Sequence, residues 1–290
     1  MHGFLVVDKE PGMTSHDVVA IARRALGTRK VGHAGTLDPM ATGVLVLGFN
    51  NGTRLLQYIT DGDKSYQATV VLGVSTVTDD FEGEVIATVD ASAITDEQIN
   101  AELDTMRGTF MQRPSSVSAV KVDGERAYDR VRSGETVVLA SREVTISQLD
   151  ILEIRRIEER VEIDIEVTCS AGTYIRAIAR DCGDRLKVGG HLSALRRTRV
   201  AGFTTSGSAS IADLKSAEFS TLDLADVARA TFPVREIALD EKLELSFGRT
   251  LAANPADGIF AGVSPANELI ALLSNVDGKA KPIAVFAAAH

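Results

Sequence analysis

The sequence predicts an α+β protein: a mixed, mainly antiparallel sheet flanked by helices, followed by a small β-rich C-terminal domain. Residues 161–169 alternate apolar and polar side chains without interruption, which is typical of a half-buried antiparallel strand. The predicted elements also lack the regular βαβ alternation of a doubly wound fold. At 290 residues, the chain is long enough for one large domain or two unequal ones.

The other elements each carry a local signal. Apolar runs bounded by turn residues predict strands over residues 4–8, 44–47, 66–74 and 85–89. Apolar residues at helical spacing predict helices over residues 14–27, 53–59, 95–108 and 173–187. Two of these helices begin with the spacing of a capping box, formed by Thr14 with Asp17 and by Thr95 with Gln98. We expect the strand over 85–89 to pair with the strand over 66–74 across a polar turn.

Threonine, serine and glycine cluster near residues 205–220, which predicts a domain boundary there. The first domain would cover residues 1–210. Within it, residues 109–142 form an excursion with few large apolar side chains. The second domain, 211–290, has short apolar runs separated by glycines, a pattern typical of a small β-rich domain.

Charge is distributed unevenly along the chain. Lysine plus arginine number 31 against 40 acidic residues, for a net charge of −9. Because phosphate contacts supply most non-specific affinity for nucleic acids, this balance argues against indiscriminate polyanion binding. However, residues 171–202 carry seven basic side chains against two acidic ones, and residues 107–132 carry six against three. These local basic segments permit a specific nucleic-acid partner.

The composition indicates a reduced, cytoplasmic protein with no membrane partner. No apolar run approaches the ~20 residues of a transmembrane helix, and the four-residue apolar stretch near the amino terminus is too short for a signal peptide. Cys169 and Cys182, with twelve residues between them, form no C-x-x-C pattern. We expect His16 and His33 to lie far apart, and the five histidines show no metal-ligand spacing.

The densest functional signal is the glycine-punctuated loop VGHAGTLDPMATG over residues 31–43. Its glycines let the backbone approach a ligand closely, and Asp38 precedes Pro39, which favours an extended or turn conformation. A carboxylate on such a loop suits a nucleophile, a general base or a metal ligand. From the residues alone, the alternative is an aspartate that caps its own turn. The loop lacks the G-x-x-x-x-G-K-[ST] pattern of a phosphate-binding P-loop.

Six motifs, taken in order along the chain, resemble the bacterial tRNA pseudouridine-55 synthases of the TruB family. The motifs are DKEPGMTSHDVV at 8–19, GHAGTLDPMATG at 32–43, KSYQA at 64–68, RPSSVSAVKVDGERAY at 113–128, GTYIRAIARD at 172–181 and HLSALRRTRVAGF at 191–203. The resemblance covers residues 4–205 almost continuously. Six ordered matches are far more specific than any single motif.

The resemblance implies an isomerase that detaches uracil from its ribose in the T loop of tRNA, turns the base and rejoins it through C5. Asp38 matches the family's catalytic aspartate, which attacks either C1′ of the sugar or C6 of the base. Arg176 matches the arginine that pairs with this aspartate; its alternative is a phosphate-contacting or solvated arginine. Tyr66 matches the tyrosine that stacks on the target base and takes part in proton transfer at C5; its alternative is a half-buried core residue. The reaction has no net redox change, and the resemblance implies no cofactor and no metal.

Eight further residues match RNA-binding positions of the family. They are Lys9, His33, Lys64, Asp80, Lys121, Arg126, Tyr174 and Leu195. Their ordinary alternatives are solvated charges for the basic residues, a structural role for His33, and core packing for Tyr174 and Leu195. The segment around Asp80 departs from the family pattern, so Asp79 is the alternative to it.

The resemblance also implies how RNA is held. The excursion over 109–142 corresponds to the family's thumb, which closes over the RNA stem-loop, and residues 211–290 faintly resemble its PUA-like C-terminal domain. The implied partner is the T arm of tRNA, bound by a monomer that needs no other protein. Two alternative functions stay open: a tRNA-folding chaperone that performs no chemistry, and a guide-RNA-dependent catalytic subunit of the dyskerin type.

Overall fold

The structure is a computed structural model that describes residues 1–115, 121–122, 125–126, 139–255 and 257–287. Within these ranges, no helix is long and apolar enough to cross a membrane. The strands, in chain order, are β1 (Gly3–Lys9), β2 (Val31–His33), β3 (Thr42–Phe49), β4 (Lys64–Leu72), β5 (Val74–Thr76), β6 (Val85–Thr88), β7 (Gly108–Gln112), β8 (Lys121–Val122), β9 (Glu125–Arg126), β10 (Arg142–Ile157), β11 (Arg160–Cys169), β12 (Gly190–Val200), β13 (Phe203–Thr204), β14 (Val234–Glu236), β15 (Leu251–Ala252), β16 (Ile259–Val263), β17 (Leu269–Val276) and β18 (Lys279–Val285).

Short helices connect many of these strands. They are α1 (Ser15–Ala25), a 3-10 helix (Asn50–Arg54), α2 (Leu56–Thr60), α3 (Asp96–Asp104), α4 (Ile175–Arg185), α5 (Ile211–Ser216), α6 (Leu224–Thr231) and α7 (Leu239–Ser246). Both predicted capping boxes are confirmed, because Thr14 accepts a hydrogen bond from the amide of Asp17 and Thr95 from that of Gln98. The prediction that the helix after Thr95 continues to residue 108 is wrong, since β7 begins there.

The chain forms two compact units. Unit 1 comprises Met1–Asp38, Val44–Thr60 and Val200–His290, and unit 2 comprises Pro39–Gly43 and Asp61–Arg199. This division differs from a single boundary near residue 210, because residues 1–38 and 44–60 share a unit with the C-terminal residues.

Unit 1 joins the beginning and the end of the chain around a shared apolar core. The amide of Phe4 donates to the carbonyl of Leu222, and the amide of Asp8 donates to the carbonyl of Ala209, both at 2.9 Å. The side chain of Phe4 lies in the same buried cluster as Ala228 of α6. Strand β1 is therefore held by main-chain and side-chain contacts from residues that follow it by about 200 positions.

The C-terminal part of unit 1 contains a five-stranded sheet in the order β14-β16-β17-β18-β15. Its strands pair antiparallel except for β14 with β16. Leu245 of α7 packs in a second buried cluster with Phe260 and Leu273 of this sheet. The prediction of a β-rich C-terminal region is confirmed. The helices α5, α6 and α7 were not predicted, because six to eight residues are too few to show a helical period clearly.

Unit 2 is built on a sheet in the order β12-β4-β11-β10-β7. Strands β4 with β11, β11 with β10, and β10 with β7 are antiparallel, so the predicted mainly antiparallel sheet is confirmed. The alternating segment forms β11, whose apolar side chains at one face are all buried. Residues 85–88 do form a strand, but it pairs with β5 rather than with β4. Strands β4 and β5 are separated by Gly73, whose φ of +103° interrupts the extended backbone.

The predicted excursion over 109–142 begins later than expected. Residues 108–112 are strand β7 and pair with β10, with Gln112 opposite Arg142. The sheet thus includes the first residues of this segment, and the chain leaves it only after Gln112. Sequence analysis missed this strand because only Phe110 and Met111 in it are large and apolar.

Both cysteines are buried, which predicts that neither reacts in the folded protein. Burial raises the pKa of the Cys169 thiol to about 11 and that of the Cys182 thiol to about 12, because the interior disfavours the charged thiolate. The thiolate is the reactive form, so at pH 8 we expect no rapid reaction with a chromogenic disulfide reagent. When the same protein is unfolded in guanidinium, both thiols should react at once and release two equivalents of the reagent's chromophore per chain. A native thiol that reacts as fast as free cysteine would contradict this packing.

Candidate active site

The loop that carries Asp38 is tied to the start of α1. The amide of Leu37 donates to the Ser15 hydroxyl oxygen at 2.9 Å, and that hydroxyl in turn lies 3.2 Å from the Leu37 carbonyl oxygen. Ser15 is the first residue of α1 and is buried. These two contacts fix the backbone immediately before Asp38, whose side chain is half-buried. The glycine-rich motif therefore presents a carboxylate on a restrained loop.

The other end of this loop lies in unit 2, where Thr42 and Gly43 pair in parallel with Arg196 and Arg197 of β12. Gly43 has a φ of +98°, and a Cβ at this position would lie 2.1 Å from the carbonyl oxygen of Arg197. Only glycine satisfies both the backbone angle and the close approach. The last glycine of the motif is thus explained by packing against β12.

His33 lies at the end of β2, and its ring contacts the ring of His16 on α1. The two ring centroids are 5.6 Å apart in an edge-to-face arrangement. The expectation that these histidines lie far apart is therefore wrong, because α1 packs against β2. In the described part of the chain, no group of three histidine, cysteine or acidic residues is arranged to hold a metal ion.

Lys9, predicted to bind RNA, is fully buried at the end of β1. Its ammonium donates to the carbonyl oxygens of Glu10 at 2.9 Å and Met13 at 2.7 Å. It thereby stabilises the turn that leads into α1. Sequence analysis could not foresee this, since the acceptors are main-chain groups that only the folded turn brings together.

Arg176, on the first turn of α4, forms a buried ion pair with Asp80. Its Nη1 lies 3.2 Å from Asp80 Oδ2, and the two side chains are only 4% and 5% exposed. The same Nη1 donates to the carbonyl of Thr78 at 2.6 Å. Asp80 Oδ1 accepts hydrogen bonds from the Thr78 hydroxyl and, at 3.1 Å, from the amide of Glu82. Because both charges are removed from water, removal of either partner would leave the other as an uncompensated buried charge.

These contacts bear on the two predicted roles. Asp80 was expected to contact flipped bases of the T loop, and in this structure both of its oxygens accept bonds from the protein. Arg176 was expected to pair with Asp38. The two residues belong to different units, and this ion pair stays a prediction.

A second ion pair lies beside the first. Arg180 Nη1 is 3.2 Å from Asp79 Oδ2, and these side chains are 12% and 11% exposed. Burial raises the pKa of the Asp79 carboxyl above its usual range, and the positive charges of Arg180 and Arg176 oppose this. Sequence analysis did not single out Arg180. The signal was available: Arg180 follows Arg176 by four residues, which places both on one helix face, and Asp79 precedes Asp80.

Tyr66 is buried in β4, directly opposite Val167 of β11. Its neighbour Ser65 accepts a hydrogen bond from Arg199 Nε at 3.1 Å. Lys64 is also buried and donates to the carbonyl of Gly62 at 2.8 Å. Burial, followed by the positive charge of Arg197, lowers the pKa of Lys64. The KSYQA motif therefore places Tyr66 near the start of an interior strand of the sheet, next to the buried polar side chains of Lys64 and Ser65.

Tyr174 precedes α4 and is joined to both ends of the segment between β7 and β10. Its amide donates to Gln112 Oε1 at 2.8 Å, and Gln112 Nε2 donates back to its carbonyl at 3.0 Å. The guanidinium of Arg142 lies 4.8 Å from the centre of the Tyr174 ring, within the range of a cation–π contact. Gln112 and Arg142 were missed from the sequence because their partner lies far away along the chain.

The remaining predicted RNA contacts divide into two groups. Leu195 is buried in β12. Lys121 and Arg126 occupy paired positions in the short strands β8 and β9, and their side chains lie outside the described part of the chain.

Comparison with known proteins places this architecture in a class. A chain of an H/ACA RNP bound to a substrate RNA containing 2'-deoxyuridine has the same fold, with a TM-score of 0.72 and 22% identity, over 99% of this chain and 86% of that one. Residues 23–175 match the model for the TruB family pseudouridylate synthase N-terminal domain. Residues 176–238 match the tRNA pseudouridylate synthase B C-terminal domain, and residues 232–287 match the C-terminal domain of tRNA pseudouridine synthase II. The class is that of the pseudouridylate synthases.

Curated relatives give the same result over nearly the whole chain. A tRNA pseudouridine synthase B of Arthrobacter sp. is 51% identical over 99% of this chain and 97% of its own length. A tRNA pseudouridine synthase B of Corynebacterium glutamicum is 48% identical over 99% of this chain and 96% of its own length. The chain belongs to the TruB family.

Proposed function

We propose that this protein is a tRNA pseudouridine(55) synthase, which isomerises the T-loop uridine at position 55 to pseudouridine. The observation that carries the proposal is the identity of about half its residues, over nearly full length, to curated tRNA pseudouridine synthases B. The restrained loop around Asp38 supports it. We further propose that the protein acts in the cytoplasm as a monomer and uses no cofactor.

In this proposal Asp38 is the nucleophile. A carboxylate forms a covalent bond and later departs, so one difficult bond exchange is divided into two easier steps. Attack at C1′ breaks the bond from C1′ to N1, whereas attack at C6 forms an adduct on the base; both routes stay open. In either case the bond from C1′ to N1 breaks, the base turns and a bond forms between C5 and C1′. The bond to the Asp38 carboxylate breaks, C5 loses its proton and N1 gains one. The product has the atoms of the substrate.

Tyr66 and Arg176 complete the proposed chemistry. Tyr66 stacks on the flipped uracil and takes part in removing the C5 proton. Arg176 holds Asp38 ionised and oriented, because a nearby opposite charge favours the carboxylate. A base inside the folded T loop reaches these groups only after it is flipped out, which costs a few kcal/mol and is offset by stacking and edge hydrogen bonds.

The side chains proposed to contact RNA differ in how accessible they are in this structure. His33 and Tyr174 are half-buried, so they reach a bound nucleotide with little rearrangement. Lys9, Lys64 and Asp80 are buried and bonded to the protein. They would contact RNA only if binding opens their surroundings; otherwise they shape the site from within.

The test uses purified protein and an unmodified T-arm stem-loop transcript, with a chelator present and no other RNA. Pseudouridine is mapped by carbodiimide treatment and primer extension. We expect one strong stop, at the T-loop uridine, and none in a transcript with cytidine at that position. Tight binding without any stop would reject the proposal in favour of a folding chaperone or a guide-dependent subunit.

A further inference from the structure

Two ion pairs connect helix α4 to the turn that follows β5. The inner pair is Arg176 with Asp80, and the outer pair is Arg180 with Asp79. The arginines are one helical turn apart and the aspartates are adjacent in sequence, so the pairs lie side by side. The outer pair therefore contacts the same helix and the same turn as the inner pair.

The outer pair also contacts the chain that follows β7. Arg180 Nη2 donates to the carbonyl of Arg113 at 2.7 Å, and its Nη1 lies 3.3 Å from the carbonyl of Pro114. These are the first residues after β7, where the chain leaves the sheet. Arg180 Nε also donates to Asp181 at 2.8 Å. One guanidinium thus bonds to three separate stretches of chain.

This arrangement is costly, which argues against a purely stabilising role. Asp79 has a φ of +61°, a left-handed conformation that is uncommon for any residue except glycine, although aspartate and asparagine adopt it more readily than most. Its carboxylate and the Arg180 guanidinium are both mostly removed from water. Apolar residues of similar volume often stabilise a fold as well as a buried ion pair does. Apolar residues cannot form the hydrogen bonds that Arg180 makes to the carbonyl groups of Arg113 and Pro114.

We propose that Arg180 and Asp79 are positioning residues, which set where the segment after β7 leaves the sheet relative to the Arg176–Asp80 pair. The proposal rests on the proposed function, in which this segment grips RNA and Arg176 serves the reaction. The reciprocal bonds between Gln112 and Tyr174 fix the neighbouring residue of β7 to the start of the same helix. RNA held by the segment is thereby aligned with the reacting groups on α4.

The test compares Arg180→Gln and Asp79→Asn with Arg185→Gln. Asparagine tolerates the left-handed backbone, so Asp79→Asn removes the charge without straining the turn. Arg185 is a matched control on the same helix, because it is 47% exposed and contacts Glu102, at 3.9 Å, and Thr105. We expect each outer-pair variant to raise KM for tRNA about fivefold, with kcat within about twofold of wild type. The control variant should match wild type in both constants.

Two further variants separate positioning from loss of folding. The double variant Arg180→Gln with Asp79→Asn should have a KM for tRNA no higher than that of the more impaired single variant, because both changes disrupt the same ion pair. Arg180→Lys keeps the charge and should recover part of the KM effect. A fall in kcat at unchanged KM, or single effects that simply multiply, would overturn the proposal.

Hydrogen exchange supplies a readout that does not depend on activity. Amides of β7, residues 108–112, should exchange faster in Arg180→Gln than in wild type or Arg185→Gln. Unchanged exchange would reject the anchoring role whatever the kinetics show. If wild type forms no pseudouridine, the proposed function fails, and the exchange result still decides whether Arg180 anchors this strand.

Discussion

Asp38→Asn is expected to abolish pseudouridine formation while leaving tRNA affinity within about a few-fold of wild type. An amide has nearly the shape of the carboxylate but is a very poor nucleophile, and removing a nucleophile typically lowers turnover by about 10⁴-fold or more. Binding depends on the whole RNA surface rather than on this one group. The loop should persist, because Ser15 holds it through the main chain of Leu37.

Single-turnover assays on the T-arm stem-loop, with binding measured by filter retention, check this expectation. Asp104→Asn is a suitable control, since Asp104 is exposed on α3 and its carboxylate forms a surface ion pair with Arg107. Substantial turnover by Asp38→Asn would show that another group attacks the nucleotide. A parallel loss of binding and turnover would instead assign Asp38 to RNA recognition.

Local signals in the sequence were sufficient for some elements of the fold. The capping boxes fixed the starts of α1 and α3, and strict alternation identified β11. Strand β10 was missed although it is the longest strand described, with 16 residues. Its pairing with β11 has irregularities between Ile146 and Gln148 and between Ile151 and Glu153, which shift the alternation and hide it in the sequence.

Part of the candidate site could likewise be predicted from local sequence, and part could not. The motif around Asp38 is contiguous, so its glycines and its carboxylate are visible in the sequence. The partners of Arg176 and Arg180 lie about 100 residues earlier along the chain, and nothing local decides which aspartate meets which arginine. The isolated bridge between Asp80 and Leu192 and the packing of α4 help to bring these pairs into register.

Arg176→Gln should destabilise the protein more than removal of any surface arginine does. It leaves the Asp80 carboxylate buried without its counter-charge, and breaking a buried ion pair from one side costs about 3–5 kcal/mol. The free energy of unfolding, measured in urea, gives the loss directly. Arg155→Gln provides the contrast: Arg155 contacts Glu153, Glu162 and Asp164 but is one-third exposed, so solvent replaces much of what is lost.

The double variant Arg176→Gln with Asp80→Asn decides whether the cost comes from the unpaired charge. Two amides can bond to each other and carry no charge, so the double variant should be at least about 1–2 kcal/mol more stable than Arg176→Gln. Turnover should stay low in both, because the arginine that serves Asp38 in the proposed reaction is absent from each. Stability that recovers together with turnover would mean that Arg176 only supports the fold. Stability that does not recover would mean that the hydrogen bond from Arg176 to the Thr78 carbonyl, rather than the ion pair, holds the turn.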